Sequence, residues 1–259
     1  MADIVIRECV TIEELDNCVR LQREVFGLPD LEISPRRHLI VSRQAGGWTL
    51  GAFVAQRLVG FVHHLAAIRG VEIFGYSHMM AVDPEFQNQG VGARLKWSQR
   101  DRAIEEGRNF IKWTWDPMQA RNAHFNLNRL GVTVGNYAVN FYGTDYPSSP
   151  RTPNDERAGI DSDRLFASWQ LESPRVIRLA NGTDSPAEAV SEKPAATIEI
   201  PANWSKLCLE NAAQARQEQL RVRGEFQQAF TAGLVAAGFE RSPEQPRYLL
   251  YPAEVLRAV

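Results

Sequence analysis

The sequence has few cysteines, little net charge and no long apolar run. Its 259 residues include three cysteines, Cys9, Cys18 and Cys208, which are far apart and odd in number. This argues against a disulfide framework or a cysteine-based zinc site and is typical of a reducing cytoplasm. The formal net charge of −2 gives no basic surface for nucleic acid. No run approaches the roughly 18 apolar residues of a membrane span, and the first ten residues lack the layout of a signal peptide. We therefore expect a cytoplasmic protein that binds neither nucleic acid nor a membrane.

What is present is the composition of a globular protein. Hydrophobic residues make up 44% of the chain and charged residues 23%. A chain of this length can bury a sizeable core in one large or two small domains.

One stretch, Met79 to Leu95, organises the rest of the chain. It reads MMAVDPEFQNQGVGARL, which predicts a strand end, a proline turn and a loop with Gly90 and Gly92 that opens a helix. Glycines let a backbone approach a ligand closely. The first-turn N–H groups of the helix have no intrahelical partner and carry partial positive charge. The loop is thus a candidate phosphate site, and the alternative is a helix start that is merely capped by glycine.

The pattern V-D-P-x-x-Q-x-x-G-V-G-x-x-L resembles the acyl-CoA-binding motif of the GNAT N-acyltransferase superfamily. Matching positions include Val82, Pro84, Gln87, Gly90 and Gly92. It is not a Walker loop, because no Gly-Lys-Ser/Thr follows, and it lacks the third glycine of a dinucleotide fingerprint.

The GNAT resemblance implies a fold and a set of cofactor contacts. It implies an α/β (α+β) architecture, in which a mixed central sheet with two splayed parallel strands, here 74–82 and 110–115, is flanked by helices. The splay would let the strand backbone bind pantetheine. The implied acyl-CoA contacts are Met80, Ala81 and Val82 for pantetheine and Gln87, Asn88, Gln89, Gly90, Val91 and Gly92 for the pyrophosphate.

A second motif, N-A-H-F-N-L-N-R-L-G from Asn122 to Gly131, resembles the next GNAT helix. There Asn122 and Phe125 match residues that lie near the cofactor. Many members place a tyrosine four residues before the glycine as proton donor to the leaving thiolate, but this chain has Leu127. The usual acid is therefore missing.

Three residues are the catalytic candidates. His78 precedes the motif in its strand and titrates near neutral pH, although it could be a core or sheet-surface histidine. Asp116 ends the following strand, where it could bind an ammonium or simply form a turn with Pro117. Tyr142 could substitute for the missing acid or be a buried tyrosine with a structural hydrogen bond. His63 and His64 alternate along one strand, so at most one can face any site. With no cysteine or carboxylate cluster beside them, we expect no metal.

The order of predicted elements gives the domain organisation. Residues 1–178 are expected to form the GNAT domain, 179–195 a linker rich in small and polar residues, and 196–259 a C-terminal α/β extension. The extension is too short for independent stability, so we expect it to pack on the core domain or on a second subunit of a homodimer. Ala138–Tyr142 is predicted as a strand and Leu207–Phe239 as a long helix.

The function implied is acyl-CoA-dependent N-acyl transfer. A bacterial branch of predicted GNAT proteins with a C-terminal extension and mostly unassigned substrates shares the run W-T-W-D-P and the later D-S-D-R-L-F-A-S-W. We expect an acetyl or succinyl-like group from acetyl-CoA or another acyl-CoA to move to the amine of a small molecule such as an amino acid, by direct attack in a ternary complex. The alternative is a CoA-binding module with impaired catalysis and a sensor or structural role, which the missing tyrosine would explain.

Overall fold

A computed structural model describes residues 3–146, 159–183 and 193–257 of the chain. The chain divides into two compact units, residues 1–113 and 114–259. Each unit is described separately. The boundary falls within the segment 1–178 that was expected to form one domain, and the predicted linker 179–195 lies mostly outside the described residues. The predicted domain limits remain a prediction.

The first unit is a strand-rich layer with helices on both faces. Its strands are ordered β1-β2-β3-β4-β5 in the sheet. The elements are β1 (Ile4–Glu8), α1 (Ile12–Phe26), α2 (Arg36–Gln44), β2 (Trp48–Val54), β3 (Arg57–Arg69), β4 (Glu72–Val82), α3 (Val91–Glu105) and β5 (Phe110–Trp115), whose last two residues belong to the second unit.

Local sequence signals set the limits of α1. Thr11 Oγ1 accepts a hydrogen bond from the Glu14 N–H, and the Glu14 carboxylate accepts one from the Thr11 N–H. This reciprocal capping box satisfies two N–H groups that the helix itself leaves unpaired. At the other end, Gly27 has a φ of 60°, a left-handed conformation that stops the helix at little steric cost.

Two apolar clusters cover the two faces of the first sheet. On one face, residues of α1 and α2 such as Leu21 and Leu39 pack with Phe53 and Phe61. On the other face, Leu95 of α3 packs with residues of β2 and β3. Strand residues therefore project alternately toward α1 and α2 or toward α3, so that position along a strand decides which helix a side chain meets.

The second unit has its own sheet and helical layer. Its strands after β5 are ordered β7-β6-β9-β10-β8. The elements are α4 (Ala120–His124), a π-helical turn (Phe125–Arg129), β6 (Thr133–Ala138), β7 (Arg164–Gln170), α5 (Pro174–Ala180), β8 (Ala196–Glu199), α6 (Trp204–Glu210), α7 (Ala212–Thr231), β9 (Leu234–Glu240), β10 (Arg247–Pro252) and α8 (Ala253–Arg257).

Aromatic side chains and a buried ion pair hold the second unit together. Phe226 of α7 packs edge to face on Tyr248 of β10, with ring centroids 5.0 Å apart. Arg223 donates to Asp161 at 2.7 Å and to Asp163 at 2.9 Å. Asp163 also accepts from the Tyr137 hydroxyl at 2.6 Å. These contacts fasten α7 to the segment directly before β7 and, through Asp163, to Tyr137 of β6.

Two predicted elements differ from those observed. The segment Leu207–Phe239 is not one helix, because a break at Asn211 separates α6 from α7 and Gly233, with a φ of 79°, precedes strand β9. Strand β6 ends at Ala138 instead of beginning there. Asn140 has a φ of 48° and its N–H donates to Asp163, so the chain turns where a strand was expected. In both places a tertiary contact or a positive φ overrides a local apolar pattern.

The predicted C-terminal extension pairs with strands earlier in the chain. Ala236 of β9 faces Val134 of β6 in an antiparallel pairing, and β10 continues the sheet from β9 to β8. The three strands of the extension, β8, β9 and β10, thus belong to the same sheet as β6 and β7. Within the described residues, no helix combines the length and the apolar character that crossing a bilayer would require.

Candidate functional site

The loop between β4 and α3 presents backbone groups to solvent. Asn88, Gln89 and Gly90 are exposed. Asn88 has a φ of 61° and Gly90 a φ of 83°, so the backbone turns through left-handed conformations just before the helix. Gly90 is the cap residue of α3 and has no side chain to offer the first-turn N–H groups. The loop therefore leaves the first-turn N–H groups of α3 without a side-chain cap, which is the arrangement expected of an anion site.

Side-chain hydrogen bonds hold this loop in its conformation. The Gln87 amide donates to the Val82 carbonyl at 2.9 Å, and the Gln89 amide donates to the Glu85 carbonyl at 2.7 Å. Asp83 caps the turn that begins at Pro84 by accepting from the Glu85 N–H at 3.0 Å. Arg57 of β3 binds the same Asp83 carboxylate at 2.6 Å. The conformation is fixed by polar contacts before any ligand arrives, which lowers the entropic cost of binding one.

The two glycines of the loop serve different purposes. A Cβ on Gly90 would meet nothing within 4 Å, but its positive φ disfavours any other residue. A Cβ on Gly92 would make only ordinary contacts, at 3.5 Å from Met80 Cε and 3.9 Å from Val82 Cγ2. Among the described residues, therefore, no contact requires glycine at position 92. A ligand that approaches the backbone there would require it.

Strand β4 leaves its parallel neighbour just before the loop. Only Gly75 with Ile111 and Tyr76 with Lys112 form the parallel pairing between β4 and β5, both of which are described in full. Ser77 to Val82 continue β4 beyond that pairing. The splay expected from the resemblance is thus present, and Met80, Ala81 and Val82 lie on the diverging half. Backbone groups there can pair with an extended ligand as with an added strand.

A bulge in β4 falls at His78. Met79 pairs with His63 of β3 and Ser77 pairs with His64, so His78 is an extra residue between them. Bulges leave the extra residue out of the ladder and redirect its side chain. His78 is exposed as a whole residue, while its ring lies against the rings of His38 and His63, with centroids 5.5 Å and 6.1 Å away. Burial of its ring atoms and the neighbouring His38 lower the pKa of His78 to about 4, so the ring is neutral near pH 7 and can accept a proton.

His63 and His64 face opposite sides of the sheet, as predicted from alternation. His64 stacks on Trp48 with ring centroids 4.1 Å apart, on the α3 side. His63 lies on the α2 side, where its Nδ1 is 2.8 Å from Thr49 Oγ1 and its Nε2 is 3.1 Å from Ser42 Oγ. Burial, with His78 and His38 nearby, lowers the pKa of His63 to about 3.

A buried lysine, Lys96, lies beneath the diverging strand, and no sequence motif marks it. Its ammonium donates to Gln99 Oε1 at 2.8 Å and to Ser77 Oγ at 3.1 Å, and lies 3.6 Å from the centre of the Trp113 ring. Burial lowers the pKa of Lys96 well below its usual range. Lys96 lies in the second turn of α3. Its side chain is buried by the packing of α3 against the sheet, which the sequence alone does not reveal.

The other predicted cofactor residues belong to the second unit. Asn122 is exposed and Phe125 half-buried at the end of α4. Leu127, at the position of the missing tyrosine, is fully buried in the π-helical turn, and its carbonyl accepts from Arg175 at 2.6 Å. A core leucine there cannot donate a proton, so any acid must come from elsewhere.

Asp116 and Tyr142 also belong to the second unit. Asp116 accepts a hydrogen bond from the Met118 N–H at 2.9 Å. This contact forms a turn, which was the structural alternative to a catalytic role for Asp116. Burial raises the pKa of Asp116. Tyr142 is 46% exposed and stacks on Tyr146 with centroids 4.8 Å apart. Tyr142 is therefore not a buried tyrosine with a structural hydrogen bond, which was the alternative to a role as proton donor.

The first unit thus contains His78 and the nine predicted cofactor contacts between Met80 and Gly92. Asp116, Asn122, Phe125 and Tyr142 lie in the second. His38 was not predicted. It is brought beside His63 and His78 by α2, and no fixed spacing in the sequence signals that contact.

Comparison with known proteins defines the class. Residues 13–131 match the family model described as "Acetyltransferase (GNAT) family". No curated protein matches the chain. The matched segment contains the loop, the splayed strand and α4, and residues 13–131 are therefore of the N-acetyltransferase type.

Two solved structures with TM-scores above 0.5 share the fold. The ribosomal-protein-S18-alanine N-acetyltransferase from Escherichia coli has a TM-score of 0.51 at 12% identity, covering 66% of this chain and 96% of that one. A GNAT-family protein from Desulfovibrio desulfuricans has a TM-score of 0.51 at 15% identity, covering 65% and 99%. A GNAT family acetyltransferase from Elizabethkingia anophelis, solved with acetyl-CoA bound, has a TM-score of 0.47 at 17% identity, covering 64% and 97%. Residues 13–131 belong to the GNAT acetyltransferase family.

Proposed function

We propose that this enzyme transfers an acetyl or succinyl-like group from acyl-CoA to the amine of a small molecule such as an amino acid. The observation that carries the donor is the glycine loop directly after a strand that has left its parallel neighbour. Such a loop offers N–H groups to the pyrophosphate, and the free strand edge offers backbone groups to pantetheine. The acetyl-CoA bound by the Elizabethkingia protein is consistent with this donor class.

In the proposed reaction, the amine nitrogen attacks the thioester carbon in a ternary complex. The C–N bond forms, the C–S bond breaks, and the electron pair leaves on the CoA sulfur. The amine must lose a proton, and His78, neutral and exposed at the bulge, is the proposed acceptor. Main-chain N–H groups near the bulge would stabilise the developing oxyanion. With Leu127 buried, the sulfur leaves as a thiolate or takes a proton from water.

Most of the rate would come from positioning. Bringing an amine beside an activated thioester replaces a bimolecular encounter with an effectively unimolecular step. Asn122 and Phe125 are proposed as further cofactor contacts, while Asp116 and Tyr142 are proposed to bind or orient the acceptor or to supply a proton.

The acceptor class rests on weaker support. The near-neutral composition and the resemblance to the branch with a C-terminal extension favour a small molecule. The E. coli neighbour is an N-acetyltransferase of a ribosomal-protein alanine, and another solved structure is an aminoglycoside acetyltransferase. The fold itself is therefore compatible with several acceptors.

A second function is favoured by one observation, the buried Leu127 in place of the usual acid. A chain with an intact cofactor loop and no proton donor could bind CoA and turn over slowly or not at all. It would then act as a sensor or structural partner.

Release of free thiol from acetyl-CoA and succinyl-CoA, with amino acids, polyamines, aminoglycosides and peptides as acceptors, tests these proposals. Amino-acid-dependent thiol release supports the first proposal. Turnover with peptides alone would refute the small-molecule acceptor. Tight CoA binding in calorimetry without turnover of any acceptor would favour the second function, and absence of CoA binding would refute both.

A further inference from the structure

Three histidines from three elements meet on the α2 side of the first sheet. His38 comes from α2, His63 from β3 and His78 from the β4 bulge. One ring nitrogen from each lies within 4.8 Å of those of the other two. We propose that this cluster, the three-histidine site, binds a divalent transition-metal ion of the Zn²⁺ class.

The ring arrangement fits nitrogen atoms directed at a common point. The ring centroids are 5.5, 5.5 and 6.1 Å apart, and the ring planes cross at 65° to 71°. Rings that stacked face to face would direct their nitrogens past one another. A tetrahedral zinc ion with Zn–N distances of about 2.1 Å holds its ligand nitrogens about 3.4 Å apart. The three nitrogens lie within 4.8 Å of one another, and rotation of the His38 and His78 side chains, neither of which belongs to a fully buried residue, can bring them to the distance that the ion requires.

The partners of His63 are those of a metal-binding histidine. A ligating imidazole usually donates from its second nitrogen to a neighbouring oxygen, which fixes the tautomer. Thr49 Oγ1, 2.8 Å from Nδ1, can accept that proton and leave the Nε2 lone pair for the ion. The Ser42 hydroxyl, 3.1 Å from Nε2, has an alternative acceptor in the Leu39 carbonyl at 3.0 Å. The ion can therefore replace one hydroxyl contact without leaving that hydroxyl unpaired.

The cluster also contains an unsatisfied group. Among the described residues, the buried Nε2 of His38 finds no hydrogen-bond partner. An unsatisfied buried polar atom is unfavourable, and a bond to a metal ion would satisfy it.

The ligand set indicates the kind of ion and site. Three imidazoles suit Zn²⁺, Ni²⁺ and Cu²⁺ and disfavour Mg²⁺ and Ca²⁺, which prefer oxygen. Three protein ligands leave a fourth tetrahedral position open, unlike the closed four-ligand sets of structural zinc sites. The exposed position of His78 gives the ion a route from solvent.

The inference does not rest on acyl transfer, since binding can be measured without substrate. If both proposals are correct, ion binding and proton acceptance by His78 exclude each other, because a metal-bound imidazole has no free lone pair on that nitrogen. Zn²⁺ would then inhibit transfer.

Calorimetric titration of the full-length, chelator-treated protein with Zn²⁺ tests the site, and Co²⁺ absorption reports a tetrahedral environment. We expect one ion per chain, and binding weakened more than about 10-fold in His38→Ala and in His78→Ala. His124→Ala removes a histidine from α4, outside the cluster, and should bind as the wild type does. Thr49→Val should weaken binding by about 10- to 100-fold through loss of the contact to His63.

Two results would overturn the proposal. One is absence of saturable Zn²⁺ binding to the wild-type protein. The other is binding that persists unchanged in both His38→Ala and His78→Ala. Urea unfolding midpoints of the variants separate loss of the site from loss of the fold. If His38→Ala does not fold, the exposed position of His78 makes His78→Ala the deciding variant.

Discussion

Substitution of Gly92 by alanine should change the affinity for CoA without lowering the stability of the fold. Gly92 lies in the first turn of α3, and its φ is outside the left-handed region. The added Cβ would make ordinary contacts at 3.5 Å and 3.9 Å with Met80 and Val82. Alanine favours a helix over glycine by up to about 1 kcal/mol. We therefore expect Gly92→Ala to unfold at the same or slightly higher urea concentration than the wild type.

In contrast to its stability, the affinity of Gly92→Ala for CoA should fall. A methyl group at the helix start would hold the pyrophosphate away from the first-turn N–H groups. A hydrogen bond to a charged group contributes about 1.5–3 kcal/mol. Loss of one such bond predicts CoA binding weaker by about 10- to 100-fold in calorimetry. Gly224→Ala, at a helical position in α7 with open space around it, is the matched control and should gain stability without losing affinity.

The neighbouring glycine provides a second comparison. Gly90→Ala forces a non-glycine residue to a φ of 83° and should cost about 1–2 kcal/mol of stability. Gly107→Ala, at a φ of 75° and likewise without neighbours within 4 Å, should cost the same but leave CoA binding intact. If Gly92→Ala bound CoA as tightly as the wild type, the close approach of a phosphate to this backbone would be refuted.

Further predictions concern stability. Because burial lowers the pKa of Lys96 in the folded state, the unfolded chain binds more protons, and stability should rise with pH toward about 10.4 by up to about 1.4 kcal/mol per pH unit. Lys96→Met should remove that rise in thermal melts from pH 7 to 10, and parallel curves would contradict it. Arg223→Met should cost about 3 kcal/mol in urea unfolding, since it leaves buried Asp163 without its cation. The exposed Arg221→Met should cost less than about 1 kcal/mol, and equal losses would argue against the buried pair. Thr11→Ala should cost about 1 kcal/mol through its cap, with unchanged CoA affinity, and an unaltered midpoint would be the contrary result.

Local patterns were predictable where the chemistry is local. The capping box at Thr11 and the loop glycines follow from side chains and backbone conformations within a few residues. Alternation along β3 likewise required His63 and His64 to face opposite sides. The prediction of one helix from 207 to 239 was wrong because the chain breaks at Asn211 and turns at Gly233. The residues after Gly233 form β9, whose pairing with β6 depends on residues about a hundred positions earlier in the chain. The expectation of no metal rested on the lack of a cysteine or carboxylate cluster beside His63 and His64, and it stays a prediction; His38, which α2 brings beside His63, was not part of it.

By itself, the sequence predicted the GNAT resemblance and the proposed acyl-CoA donor, because the proposed pyrophosphate contacts come from one continuous loop whose conformation its own glycines allow. The tertiary structure decided what long-range packing brings together. It placed Lys96 under the diverging strand, buried Leu127 where an acid was expected, and gathered three histidines from a helix and two strands. The physical reason is that desolvation, lowered pKa values and convergent ring nitrogens depend on residues distant in the chain, and no spacing along the chain encodes their distances.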